Sequence, residues 1–191
     1  VWQTSLPCLD AAGFYPGAIT EVVGEAKSCG AGLLIAALVE NPGVIQQPVV
    51  LVDGCDAFDP HAVTAAARNR LLWLRCKGLT NATQAADLLL RDGNMPLILL
   101  DLQLCASRQL LSLPSSIWHR LRFLAEKSGA VLCVFTPCRV IACARSRLIL
   151  EQAFSLKALE QPRAELVRDL QTRVERSARG GVTAPQVALA N

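Results

Sequence analysis

Residues 17–40 read GAITEVVGEAKSCGAGLLIAALVE, two apolar runs on either side of a segment that contains glycine. The apolar run at 18–23 predicts a buried strand, and the apolar residues at helical spacing over 32–40 predict a helix. A turn that contains glycine joins the two. Strand, glycine turn and helix in this order are typical of loops that bind phosphate groups. The stretch therefore predicts an α/β fold with a candidate nucleotide site at the turn.

Short apolar runs elsewhere in the chain predict four more strands, at residues 48–53, 70–74, 96–101 and 130–135. These runs show almost no polar alternation, which is typical of strands that are buried on both faces of a parallel sheet. Helical spacing over residues 60–69, 80–91 and 114–127 supplies the crossover connections that parallel strands need. The repeated β-α pattern predicts a three-layer α/β/α sandwich with a mainly parallel sheet.

The C-terminal part of the chain has a looser pattern. Residues 148–150 predict a further strand, antiparallel and at the edge of the sheet. A stripe of Val167, Leu170 and Val174 predicts a final helix over residues 162–178. We therefore expect a core domain over residues 1–155, a C-terminal helix within 156–180 and a flexible tail over 181–191.

Composition indicates a globular protein without a metal centre. Of the 191 residues, 52% are hydrophobic and 18% are charged, which excludes a disordered chain. No apolar run reaches the ~18 residues that cross a bilayer, and no basic and then apolar leader is present, so we expect a cytoplasmic protein that does not bind membranes. The eight cysteines form no C-x-x-C pair, which predicts reduced thiols and no metal site.

Charge is distributed unevenly along the chain. Residues 1–60 contain one basic and seven acidic residues, whereas residues 61–191 contain eighteen basic and nine acidic ones. This asymmetry predicts a basic surface on the later part of the chain, facing nucleic acid or an acidic partner. Solvated helix faces rich in arginine explain the same pattern equally well.

The glycine turn lacks the side chains of a working phosphate loop. Such a loop requires G-x-x-x-x-G-K-[ST]. Counted from Gly24, the second glycine position carries Cys29, the lysine position Gly30 and the hydroxyl position Ala31. The degenerate phosphate loop comprises Gly24, Lys27, Ser28, Cys29, Gly30 and Ala31. We expect that it has kept its shape, has lost its hold on triphosphate and binds no cofactor.

Three motifs resemble the core of RecA-type recombinases in order and spacing. They read GAITEVVGEAKSCGAG, VVLVDGCDAFDP and LILLDL. The resemblance implies that Asp101 is the metal-associated aspartate and that Cys55 stands where the family has its catalytic glutamate. It also implies that Thr136-Pro137 replaces a polar nucleotide sensor. A thiol cannot position the attacking water as that glutamate does. Of the residues that the resemblance implies for hydrolysis, only Asp101 is therefore retained.

Three further stretches narrow the resemblance to the ImuA family. They read RLLWLRCKGLTNATQAADLLLRDGNMPLILLDLQL, LPSSIWHRLRFLAEKSGAVLCVFTP and RSRLILE, and the resemblance covers roughly residues 14–152. It implies a RecA-like accessory protein without hydrolytic activity, which acts in SOS-induced DNA repair and translesion mutagenesis. It also implies an ImuB-like Y-family protein, an error-prone DNA polymerase and RecA as partners.

The leading interpretation is therefore a catalytically inactive module that docks its partners through an edge strand, a basic face or the C-terminal helix. Two alternatives remain open. An atypical ATPase would use Lys27 and Asp101. A protein that binds single-stranded DNA would use Arg139, Arg145 and Arg147 to contact phosphates, with an affinity that falls as salt rises.

Overall fold

The computed structural model describes residues 4, 6–41 and 48–176. Within these ranges seven strands form one sheet. In chain order they are β1 (Ala18–Val23), β2 (Val49–Asp53), β3 (Leu71–Arg75), β4 (Leu97–Asp101), β5 (Val131–Thr136), β6 (Ser146–Leu150) and β7 (Thr172–Arg176). The order across the sheet is β3-β2-β4-β5-β1-β6-β7, and every neighbouring pair is parallel except β6 and β7. The five strands predicted between residues 18 and 135 are confirmed.

Helices cover both faces of the sheet. They are α1 (Pro7–Ala12), α2 (Ala31–Glu40), α3 (Ala65–Arg68), α4 (Leu79–Asp92), α5 (Ser107–Leu111), α6 (Ser115–Ser128) and α7 (Arg163–Arg168), with 3₁₀ turns at Pro60–Ala62 and Leu156–Glu160. Buried residues of α1, α2 and α3 share one apolar core, and those of α4, α5 and α6 share the other. The prediction of a mixed α/β fold with a mainly parallel sheet is confirmed. In the part of the chain that the structure describes, no helix has the length and apolar character needed to span a membrane.

The local sequence explains the two longest helices. In α4, Ala82, Ala86 and Leu90 are buried and recur every four residues, so they lie on one face of the helix. Helices α4 and α6 end at Gly93 and Gly129, as their sequences predict. The helix predicted over residues 60–69 is shorter than expected, because only a 3₁₀ turn and the four residues of α3 are helical there.

The C-terminal part corrects two predictions. Strand β6 was predicted as an antiparallel edge strand, but it pairs in parallel with β1 and lies inside the sheet. The helix predicted within 156–180 is wrong beyond Arg168, because residues 172–176 form β7, which is antiparallel to β6. The reason is that the outer edge of β6 presents unpaired backbone groups, and β7 supplies their partners while Val174 pairs in register with Leu148. The tail predicted at 181–191 lies outside the described residues.

Candidate functional site

A cavity of about 710 Å³ lies at the carboxyl ends of β1 and β4. The glycine turn after β1 and the start of α2 form one wall, and residues 57–59 from the loop after β2 form another. Asp101 and Gln103, at the end of β4, line the space between them. Ligands of open parallel sheets bind outside the carboxyl ends of the strands. All six residues of the degenerate phosphate loop line this cavity together with Asp101, so we treat it as the candidate site.

The side chain of Cys29 fills the space between the two ends of the glycine turn. It is buried, and a Cβ atom added to Gly24 would lie 2.2 Å from its Sγ atom. Only glycine at position 24 therefore leaves room for this thiol. Burial raises the pKa of the Cys29 thiol, so the group stays neutral at physiological pH. The turn encloses an uncharged sulfur that belongs to the protein itself.

The C-terminal segment covers the position where a phosphate loop carries its lysine. A Cβ atom added to Gly30 would lie 2.7 Å from Cδ2 of Leu170 and 2.8 Å from Cε2 of Phe154. The amide of Phe154 also donates a hydrogen bond of 3.0 Å to the carbonyl oxygen of Ser28. Gly30 has a φ of +89°, a left-handed conformation that favours glycine. Both the packing and the backbone therefore select glycine at this position.

Lys27 provides a positive charge at the cavity, but from within the glycine turn and not from the lysine position of the motif. It is exposed, it lines the cavity, and within the described ranges no hydrogen bond or ion pair occupies its ammonium group. Arg163, at the start of α7, also lines the cavity. The cationic groups thus stand at the rim of the cavity, and the start of α2, where the motif would place a lysine, carries none.

Asp53 holds the loop that follows β2. Its carboxylate is fully buried and accepts hydrogen bonds from the amides of Ala57 (3.0 Å) and Phe58 (2.9 Å). The amide of Cys55 and the indole N–H of Trp73 also donate to it, each at 3.3 Å. Four donors satisfy the carboxylate, so its role in the structure is to position one wall of the cavity.

Asp101 lies beside Asp53 in the parallel register of β2 and β4 and has a poorer set of partners. The structure gives its carboxylate one hydrogen bond, 2.9 Å from the amide of Gln103. Burial raises the pKa of Asp101 to about 6, and the charge of Asp53 adds to this effect. The Asp101 carboxyl group therefore binds a proton more tightly in the folded protein than in the unfolded chain.

Replacing Asp101 by asparagine should stabilise the protein near pH 7.5 and have little effect near pH 4. Because the pKa of Asp101 is raised in the folded state, the contribution of this group to stability falls as pH rises from about 4 to about 6 and is constant above that range. Asparagine never ionises and keeps an acceptor for Gln103, so we expect a gain of about 2 to 3 kcal/mol in the free energy of unfolding. Urea denaturation at both pH values measures it.

The exposed Glu126 of α6 provides a matched control for this experiment. The substitution Glu126→Gln also removes one carboxylate, but from a solvated position, so its effect on unfolding should be below about 1 kcal/mol at either pH. An equal change for Asp101→Asn at both pH values would contradict the assignment of a raised pKa.

Glu21 is a buried polar residue that the sequence analysis did not single out. It lies in β1, is fully buried, and its Oε1 atom accepts hydrogen bonds from the amides of Val140 (2.8 Å) and Ile141 (3.1 Å). The hydroxyl of Thr136 also donates to Oε1 at 3.4 Å. Arg147 donates from Nε to Oε2 at 2.6 Å. A single charged residue inside a strand predicted to be buried is the sequence signal that could have revealed this network.

The three arginines predicted as nucleic-acid contacts do not line the cavity. Arg147 is engaged by Glu21, and its side chain is only 15% exposed. Arg139 forms an ion pair with Glu175 of β7 at 2.9 Å and a second one with Glu25. Both arginines thus link the end of the sheet to neighbouring segments.

Arg145 differs from the other two because, within the described residues, its guanidinium forms no ion pair. Its guanidinium carbon lies 4.2 Å from the centre of the Tyr15 ring, in a cation-π contact. Of the three arginines, Arg145 has the guanidinium that is accessible to a phosphate group without loss of an ion pair.

Cys55, at the position expected for a catalytic glutamate, lies outside the lining of the cavity. It is exposed on the loop after β2, and its Sγ atom lies 3.3 Å from Sγ of the buried Cys105. Across the described residues, no group of three or more histidine, cysteine, aspartate or glutamate side chains is arranged to hold a metal ion.

No model of a protein family matches the sequence, and no curated protein matches it significantly. The interpretation of the site therefore depends on its own residues and geometry.

Proposed function

We propose that this protein is a catalytically inactive, RecA-like accessory protein that acts through protein contacts in SOS-induced DNA repair and translesion mutagenesis. Three features support this proposal. The motif order resembles the RecA and ImuA families, the first strand leads through a glycine turn into a helix, and the sheet is mainly parallel with helices on both faces. On this proposal the fold is the α/β/α sandwich of P-loop NTPases.

The packing around Gly30 carries the proposal. Phosphoryl transfer depends on positioned charges that neutralise the phosphate oxygens, and the lysine at the start of the helix supplies one of them. Here Leu170 and Phe154 pack against the position of that lysine. A charged hydrogen bond of this kind contributes about 1.5 to 3 kcal/mol to the binding of the phosphate and more to the stabilisation of the transition state. Its loss favours a role without turnover.

On this proposal the fold is stabilised by its own apolar core. Strands β2, β4 and β5 are buried on both faces, so apolar burial stabilises the sheet independently of any ligand. A module of this type can lose hydrolysis and remain a rigid scaffold for partners. By family resemblance, we propose an ImuB-like Y-family protein, an error-prone DNA polymerase and RecA as those partners, in the cytoplasm.

Strand β3 is the surface that we propose for docking. It forms one edge of the sheet, so its outer backbone groups have no strand partner within the described sheet. Leu72 on this strand is exposed. Open strand edges with exposed apolar side chains pair readily with other chains. The edge strand expected from the sequence, at residues 148–150, lies inside the sheet, so β3 takes its place in this proposal.

Affinity purification from cells with damaged DNA tests the proposal. A polymerase of the Y family, an error-prone replicative polymerase or RecA should co-purify with the wild-type protein. Leu72→Asp should reduce recovery at least tenfold, because the charge is placed on the proposed contact. The matched control is Leu88→Asp, which changes an exposed leucine on α4 and should leave recovery unchanged. Recovery of none of these proteins would contradict the proposal.

An atypical ATPase is the second candidate, because Lys27 and Asp101 line the same cavity. Calorimetric titration with ATP and Mg²⁺ separates the two. The proposed scaffold should give no heat of binding at micromolar concentrations and no phosphate release. Micromolar affinity together with turnover that Lys27→Ala abolishes would favour the ATPase.

A further inference from the structure

The two loops that follow β2 and β4 bring a pair of cysteines into contact. Cys55 lies two residues after β2 and Cys105 four residues after β4, and their Sγ atoms are 3.3 Å apart. The two strands are direct neighbours in the sheet. The amide of Gly54 donates a hydrogen bond of 2.9 Å to the carbonyl oxygen of Asp101, which ties the starts of the two loops together. The proximity of the thiols is therefore built into the sheet.

We propose that Cys55 and Cys105 form a reversible disulfide when the protein meets a hydroperoxide. A disulfide bond is about 2.05 Å long, so the two sulfurs need to approach by about 1.2 Å from their separation of 3.3 Å. Movement of this size lies within the reach of side-chain rotation and small loop shifts. The inference concerns chemistry of the loops and holds whether or not the protein has the function proposed above.

The two thiols differ in a way that assigns their roles. Cys55 is exposed, so a peroxide in solution reaches it directly. Cys105 is 7% exposed, and burial together with its thiol neighbour raises its pKa to about 12. Cys105 therefore stays a protonated thiol under the conditions in which Cys55 meets the oxidant. Cys55 is the residue that is oxidised first, and Cys105 is the residue that resolves it.

The reaction balances in two steps. The Cys55 thiolate attacks one oxygen of the peroxide, the O–O bond breaks, and Cys55 becomes a sulfenic acid while hydroxide or an alkoxide leaves and is protonated. The Cys105 sulfur then attacks the Cys55 sulfur, and the sulfenic oxygen leaves as water with the proton of Cys105. Two thiols and one hydroperoxide give one disulfide, one water and one alcohol, or a second water when the oxidant is hydrogen peroxide. A dithiol reductant reverses the process.

The bond would fix the geometry of the candidate site. The loop after β2 contributes Phe58 to the cavity wall, and the loop after β4 contributes Leu104. A covalent link between positions 55 and 105 joins these two walls. Oxidation would thus restrict the movement of these two walls relative to each other without altering any residue that lines the cavity.

Peptide mapping tests the proposal. The purified full chain is treated with a few equivalents of hydrogen peroxide, free thiols are alkylated, and the protein is digested with trypsin and a protease that cleaves at aspartate. Cleavage at Asp53 separates Cys55 from Cys29. We expect one dominant linked pair of peptides, which contains Cys55 and Cys105, has lost two hydrogens and disappears with dithiothreitol. Linkage of Cys55 to other cysteines at equal yield would overturn the proposal.

Three variants test the roles of the two thiols. Cys55→Ser should abolish the linked pair. Cys105→Ser should leave Cys55 as sulfenic acid, with at least tenfold more labelling by dimedone than the wild type shows. Cys76→Ser is the matched control, because this partly buried thiol lies directly after β3 at the same end of the sheet, and it should leave the yield of the link unchanged. Equal dimedone labelling of wild type and Cys105→Ser would contradict the resolving role.

Discussion

Replacing Glu21 by alanine should destabilise the protein by about 3 to 5 kcal/mol. The carboxylate is fully buried and satisfies two amides, one hydroxyl and the guanidinium of Arg147. Removal of one partner from a buried ion pair leaves the other charge and its neighbouring donors without compensation. Domains of this size are stable by about 5 to 15 kcal/mol, so the variant should lose a large fraction of its stability.

Urea denaturation followed by far-UV circular dichroism measures the effect. Glu151 offers a matched control, since it forms an ion pair with Arg173 at 2.6 Å but both side chains are more than 40% exposed. Glu151→Ala should therefore cost less than about 1 kcal/mol. If the two alanine variants lost equal stability, the buried network around Glu21 would not have the energetic role that its geometry indicates.

The second large effect is expected when the missing lysine is restored. Gly30→Lys brings the loop closer to a working phosphate motif, yet it should destabilise the protein by about 2 to 5 kcal/mol and confer no ATPase activity. Its Cβ atom would lie 2.7 Å from Leu170 and 2.8 Å from Phe154. Overpacking costs about 1 to 3 kcal/mol, and the left-handed backbone adds about 1 to 2 kcal/mol for a residue that has a Cβ atom.

Gly32→Lys provides the control for this substitution. Gly32 is exposed within α2, and no atom lies within 4 Å of a Cβ atom added there. Its replacement by lysine should be neutral or stabilising by up to about 1 kcal/mol, because lysine favours helix more than glycine does. Thermal unfolding and a phosphate-release assay compare the two variants. ATP turnover in a well-folded Gly30→Lys variant would show that the C-terminal segment does not close the site.

The pattern of apolar residues predicts most of the sheet because parallel strands are buried on both faces. Strands β1, β2, β4 and β5 consist almost entirely of apolar residues, and their positions agree with the prediction. The same reasoning failed at β7. Residues 163–176 have an amphipathic helical period, but the open edge of β6 and the ion pairs of Glu175 with Arg139 and Arg147 favour a strand at its end. Tertiary contacts of this kind override local propensity.

The sequence predicted which residues of the glycine turn are altered, but it did not predict how other parts of the chain pack against them. The loss of lysine and hydroxyl at positions 30 and 31 is visible in the sequence. Only the family resemblance associated Asp101 with the glycine turn, and in the structure both line one cavity. The cover over Gly30 comes from Phe154 and Leu170, which are far away along the chain and carry no motif. The contact between Cys55 and Cys105 could likewise not be predicted from the sequence, because β3 and α4 separate the two residues along the chain.

The position of β1 between β5 and β6 bears on how the chain folds as it leaves the ribosome. Strand β1 precedes both neighbours in the chain, so it has both partners only after residue 150 has emerged. While residues 24–130 are synthesised, its backbone groups have neither of these partners, and its apolar side chains are open to contact with other chains. Chaperones that shield hydrophobic segments are suited to protecting the polypeptide during this interval.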